Sequence, residues 1–116
     1  MRITDPGLRQ TIAEALADPD SLRILHTVRD TAKNAQEISR GADVPLSSVY
    51  RKLSTLKSAG LAFVKSIEIT QEGKRQDLYL AAVTEVRVGL AGDEIELDVI
   101  PTKESADRIW FKLFSQ

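Results

Sequence analysis

The sequence predicts an α+β fold, and two observations carry that prediction. Apolar residues recur at helical spacing through the first half, alternate strictly over much of residues 61–99, and return to helical spacing near the end. Gly and Pro stand where one pattern gives way to the next. At 116 residues the chain suits one hydrophobic core rather than two.

Composition narrows the class. Hydrophobic residues are 42% and charged residues 28%, the balance of a chain expected to fold without a cofactor. There is no cysteine, which excludes disulfides, thiolate metal sites and a cysteine nucleophile and fits a reducing cytoplasm, where we expect the protein. Arg2, Asp5, Arg9 and Glu14 interrupt the N-terminus, and no run of 18 apolar residues occurs, so neither a signal peptide nor a membrane span is expected. Net charge is −1, but it is unevenly spread. Residues 35–82 hold seven Lys or Arg against five acids, whereas residues 83–116 hold four against seven.

Leu8, Ile12 and Leu16, with Ala13 and Ala17 beside them, draw one apolar stripe on a first helix. Asp18-Pro19-Asp20 ends it and starts a second, with Asp18 as N-cap, Pro19 in the first turn and Asp20 at the positive helix end. This second helix runs to about Arg29, and Leu22, Ile24, Leu25 and Val28 cover an arc wide enough for packing on several sides. Asn34 caps a short third helix, Ala35 to Arg40, with Ile38 inward and Gly41 expected to end it in a left-handed conformation. After a turn at 42–45, a fourth helix spans Leu46 to Ala59, with Val49, Leu53 and Leu56 buried and Gly60 as its stop.

Leu61, Phe63, Ile67 and Ile69 then alternate along a strand. The polar run TQEGKRQ, residues 70–76, forms an exposed hairpin loop before the apolar Leu78, Tyr79 and Leu80. A second hairpin pairs Val86, Val88 and Leu90 with Ile95, Leu97 and Val99 around the Gly92-Asp93 turn. A last helix, about Lys103 to Phe114, presents Ala106, Ile109, Trp110 and Leu113 on one face.

A short helix, a tight turn and a longer basic helix form the arrangement in which one helix enters the DNA major groove while the other braces it. The longer one, from Leu46 to Gly60, carries three positive charges and no acid. Its outward face offers Ser47, Ser48, Tyr50, Arg51, Ser54 and Lys57, with Lys52 at the margin. Arg binds guanine through two parallel hydrogen bonds, hydroxyls meet base edges or phosphates, and Lys neutralises phosphate, which makes Arg51 the leading base-reading candidate. Lys74 and Arg75 at the tip of the following loop suit a wing that reaches the backbone, although Glu72 and Asp77 offset their charge.

The stretches ALADPDSLRIL and EISRGADVPLSSVYRKLSTLKSAGL, followed by a strand, a Gly-Lys-Arg loop and LYL, resemble the ArsR-like winged helix-turn-helix regulators, and VYRKL resembles their archaeal members. The resemblance covers about residues 13–82. It implies that Ser47, Ser48, Tyr50 and Arg51 face the groove, that Lys74 and Arg75 form the wing tip, and that Ile38, Val49, Leu53, Leu56 and Leu61 are core. Metal-sensing members use cysteine thiolates, often with histidine, and a chain with no Cys and only His26 lacks that ligand set. After residue 83 the chain departs from the family by inserting the 84–100 hairpin before the last helix. The domain reading is therefore residues 1–83 for DNA, with residues 84–116 as a dimerisation extension of the same domain.

His26 is expected to be a partly buried packing residue rather than a ligand. Glu94, Glu96 and Asp98 share one strand face and are read as its polar outer side, with Arg87 as a cross-strand partner, not as a metal site. Trp110, Phe111 and Phe114 are half of the six aromatics and, with Ile109 and Leu113, exceed what one internal face would bury, so they are read as a dimer interface. Two copies on adjacent half-sites would add their binding. The expected function is a homodimeric duplex-DNA-binding transcription regulator, a repressor by the resemblance. The alternative is a winged helix used as a protein-interaction module, favoured by the acidic last third. No phosphate loop, metal-spaced His pair or placed nucleophile supports an enzyme.

Overall fold

The computed structural model describes residues 1–106. It contains α1 (Pro6–Ala17), α2 (Pro19–Thr27), α3 (Ala35–Ala42), α4 (Leu46–Ser58), β1 (Ala62–Ile69), β2 (Arg75–Ala81), β3 (Val83–Ala91), β4 (Glu94–Pro101) and α5 (Lys103–Ser105). The fold is α+β, a winged helix-turn-helix with a second hairpin appended. Beyond residue 106, the expected span of the last helix and the residues Ile109, Trp110, Phe111, Leu113 and Phe114 lie outside the described residues.

Local chemistry sets the helix starts. Asp5 accepts from the Leu8 N–H and Asp18 from the Ser21 N–H, each followed by a proline whose missing N–H costs a first turn nothing. Asn34 and Glu37 form a reciprocal capping box on α3. The expected stop of α3 is displaced. The helix runs two residues past Arg40, and Asp43, not Gly41, takes the left-handed conformation at φ 56°. Gly41 instead lies inside the helix against α2, where an added Cβ would meet Thr27 Cγ2 at 3.0 Å. Gly60 has the expected positive φ, 74°.

One core holds the helices together. Ile12, Ile24, Val28, Ile38, Val49, Leu53, Leu56 and Leu61 are fully or almost fully buried in it, joined by Leu97 and Val99 from β4 and Ile3 from the N-terminus. α2 is less enclosed than its apolar arc implies, because Leu22 is 45% exposed. His26 is exposed rather than packed, with its ring against the Arg29 guanidinium.

The strands form two separate two-stranded antiparallel sheets, β1–β2 and β3–β4. In the first, a register shift between Val64 and Ser66 breaks the alternation read from the sequence. Leu61 and Phe63 stay buried, whereas Ile67 and Ile69 beyond the bulge are 51% and 65% exposed on the projecting wing. In the second, Val86, Val88 and Leu90 face Val99, Leu97 and Ile95, the expected register. The N-terminus runs along the outer edge of β4: Ile3 N–H donates to Leu97 O at 2.8 Å, and Val99 N–H to Met1 O at 2.8 Å. Arg2 accordingly covers the acidic face, 3.4 Å from Glu96 and 3.1 Å from Asp98, and holds the Asp98 carboxyl below its ordinary range. Arg87 stands opposite Asp98 across the ladder, as expected, but its ion pair is with Glu85 on its own strand at 2.7 Å.

Candidate nucleic-acid interface

The α3–turn–α4 unit is fixed from three directions. Ser39 Oγ donates to Val44 O at 2.6 Å across the turn, and Arg23 Nε on α2 donates to Ala42 O at 3.1 Å. The third tie is Lys52, whose ammonium donates to Asp18 Oδ2 at 2.6 Å. With its side chain 19% exposed, Lys52 is turned toward α2 and not toward the outer face of α4. Asp18 receives that bond together with those from Ser21 N–H and Oγ, and the Lys52 bond, then the Ser21 hydroxyl, hold its carboxyl below the ordinary range.

Ser47, Tyr50, Arg51, Ser54 and Lys57 are exposed along α4, and Ser48 is half-buried. Among the described residues neither Arg51 nor Lys57 has an ion-pair partner. Pro45 provides no side-chain cap, so the first-turn N–H groups of α4 remain available beside Ser47 and Ser48.

At the wing, Gly73 with φ 80° makes the turn, Gly73 N–H donates to Thr70 O at 2.9 Å, and Thr70 N–H donates to Lys74 O at 2.8 Å. Lys74 is at the turn and lacks an ion-pair partner among the described residues. Arg75 is not at the tip but opens β2, where its Nε donates to Asp77 at 3.1 Å. Tyr50 and Arg75, far apart in sequence, come together around a hollow of ≈ 210 Å³ completed by Asn34, Gln36, Gln76, Asp77 and Tyr79. Asn34 Nδ2 donates to Gln76 Oε1 at 3.2 Å, joining α3 to the wing. Burial, with the Asp77 charge second, pushes the Tyr79 hydroxyl above its ordinary range.

Gln36 and Gln76 are not legible as site residues in the sequence. Neither has a distinctive neighbourhood, and their proximity depends on the wing folding back on the α3 N-terminus. The predicted residues therefore divide into an outer face (Ser47, Arg51, Ser54, Lys57) with Ser48 half-buried beside it, a flank shared with the wing (Tyr50, Arg75), a wing turn (Lys74) and an internal strut (Lys52).

Residues 16–63 match the family model of a helix-turn-helix domain, a span from the end of α1 into β1. Among solved structures, NolR from Sinorhizobium fredii superimposes with a TM-score of 0.53 at 17% identity, over 72% of this chain and 84% of that one. HlyU from Vibrio cholerae N16961 gives 0.43 at 16% identity over 95% of this chain, both for its reduced form, covered over 92%, and for a second structure, covered over 95%. No curated protein matches the sequence.

Proposed function

We propose that the chain is a sequence-specific duplex-DNA-binding transcription regulator of the ArsR-like kind, a cytoplasmic homodimer that represses by occupying a promoter. The outer face of α4 carries this reading: it is free of acids, sits second in a helix-turn-helix, and leaves Arg51 and Lys57 unpaired among the described residues. In this reading Arg51 contacts a base edge, Ser47, Ser48 and Ser54 contact bases or phosphates, and Lys57 and Lys74 neutralise phosphate. Tyr50 and Arg75 close on the backbone from the flank. Lys52, expected at the interface margin, serves by holding α4 on α2.

Residues 1–83 form the DNA-reading part in this proposal, and residues 84–116 extend it toward a second copy, with Ile109, Trp110, Phe111, Leu113 and Phe114 at the interface. The test is a salt titration of binding to operator fragments selected from genomic DNA. A dimer that neutralises roughly six phosphates gives a log–log slope of about −5. A flat response would instead favour the protein-interaction module to which the acidic last third points.

A further inference from the structure

The β3–β4 hairpin has one satisfied edge and one open edge. Leu97 O and Val99 N–H turn outward from β4 to meet the N-terminus. In an antiparallel ladder both members of such a pair turn their backbone groups outward, so their cross-strand partners Val88 and Val86 do the same on β3, as does Leu90 two residues on. Among the described residues nothing bonds to these outward groups. On the same strand Val88 is 56% and Leu90 86% exposed. A long edge strand of this kind is a template for another strand, and β3 has no Pro to block pairing.

We infer that the occupant is the β3 of a second copy, paired antiparallel about a twofold axis at Val88. This rests on the homodimer reading above and adds a strand-paired contact to the C-terminal one proposed there. The sequence of β3 is self-complementary in that register. Val88 faces the partner's Val88, and Val86 faces the partner's Leu90, so every outward N–H and C=O from 86 to 90 gains a bond and the exposed apolar residues meet one another.

The charged face agrees with the same register. Arg87 falls opposite the partner's Gly89, which has no side chain to intervene. The Glu96 carboxylate lies over Gly89, its Oε2 3.9 Å from where a Cβ would stand, so an arginine arriving opposite Gly89 meets an acid whose other neighbour is Arg2 at 3.4 Å. Shifting the axis to residue 87 would place Arg87 against Arg87, which like charge disfavours. The register also brings the partner's Leu90 beside Val86, at a groove of ≈ 270 Å³ whose floor of Leu16, Leu25, Val83 and Val86 is rimmed by His26, Arg29 and Glu85. One apolar tip and one such groove per copy make the contact reciprocal.

The experiment uses the full chain, in which a cysteine introduced anywhere is unique. Val88→Cys is treated with a short bismaleimide, with Ile69→Cys on the wing as control, and the association of wild type, Leu90→Lys and Val88→Pro is followed by sedimentation. Leu90 is too exposed for lysine to unfold the chain, and the Val88 N–H removed by proline serves no bond within the hairpin. The expected result is a wild-type dimer, cross-linking at 88 but not at 69, and a shift to monomer in both other variants. A wild-type dimer that neither cross-links at 88 nor responds to the two variants overturns this interface while leaving the homodimer reading intact. A monomeric wild type at micromolar concentration overturns both.

Discussion

Arg51 and Lys52 are adjacent, both basic and on the same helix, yet alanine at each should fail in a different assay. Arg51 is exposed and its side chain is unpaired among the described residues; beyond the helix ladder only its carbonyl is met, by the Thr55 hydroxyl. Arg51→Ala therefore leaves stability within about 0.5 kcal/mol of wild type. The loss is expected in binding: one base contact costs about 1 to 3 kcal/mol, roughly 5-fold to 150-fold in Kd at a single half-site, and about the square of that factor for a dimer that loses the contact at both. If the contact is to a base, discrimination at one operator position relaxes while the salt slope hardly moves. Lys52 reverses the pattern. Its bond to Asp18 is 2.6 Å long between side chains 19% and 34% exposed, so it is shielded only in part. A charge-assisted bond discounted for solvent screening gives about 1 kcal/mol. Lys52→Ala should lower Tm by several degrees and, at temperatures where the protein is folded, weaken binding by less than Arg51→Ala does. Calorimetry and fluorescence anisotropy on both variants decide the matter. A Lys52→Ala protein of unchanged Tm that no longer binds DNA would refute the assignment of Lys52 as a strut.

Lys74→Ala at the wing turn should weaken binding to all sequences equally and lower the magnitude of the salt slope by about 0.9 for each phosphate no longer neutralised, which anisotropy across a salt series reads directly. Gly60→Ala forces a side chain onto a φ of 74° and should cost about 1 to 2 kcal/mol by denaturant unfolding, with no specific effect on the operator preferred. Asp18 and Asp98 are held below their ordinary value of 3.8, chiefly by Lys52 and Arg2 respectively. A lowered folded value means that the stability they contribute is fully present above that ordinary value and is lost as pH falls through the lowered one. Tm measured from neutral to strongly acidic pH should thus drop more steeply for wild type than for Lys52→Ala in that acid range. Parallel curves would remove the Lys52–Asp18 pair from the account.

How much of the fold is legible in the sequence depends on the range of the interaction. Helix starts are local, and Asp18-Pro19 and Asn34 with Glu37 mark theirs because a capping carboxylate or amide acts within three residues. The hairpin register of β3–β4 is legible for the same reason, since a two-residue turn fixes the pairs from Ala91 back to Glu85, as far as the register shift before Val83. Gly41 misleads because packing against Thr27 and a left-handed stop both favour glycine, and only the position of α2 separates them. The bulge at Lys65 is hidden because Ile67 and Ile69 continue an apolar alternation that the wing carries out into solvent. Within the site, exposure along α4 follows from the burial of Val49, Leu53 and Leu56 on its other side. The inward turn of Lys52 does not, because Asp18 is 34 residues away in sequence.

Net charge is a poor guide to this surface, and one comparison shows why. Half of the sixteen described acids are engaged locally: Asp18 with Lys52, Asp20 with Arg23, Asp30 with Arg29, Glu96 and Asp98 with Arg2, Glu85 with Arg87, Asp77 with Arg75, and Glu104 with Lys65. Such pairs cancel within a few ångströms, whereas Arg51, Lys57 and Lys74 have no such partner among the described residues and project their charge outward. Screening at physiological salt limits each charge to about 8 Å, so DNA at α4 senses the cations beside it and not the acids of the distant hairpin. Ser54→Glu and Thr4→Glu change the formal charge identically. Ser54 lies on the outer face of α4, while Thr4 is exposed ahead of α1, where an acid suits the positive helix end. Ser54→Glu should weaken binding by at least about tenfold, through repulsion of phosphate and removal of a hydroxyl, and Thr4→Glu should leave it within about twofold. Equal weakening by the two would mean that the whole molecule's charge governs association, and the reading of α4 as the contacting face would fall with it.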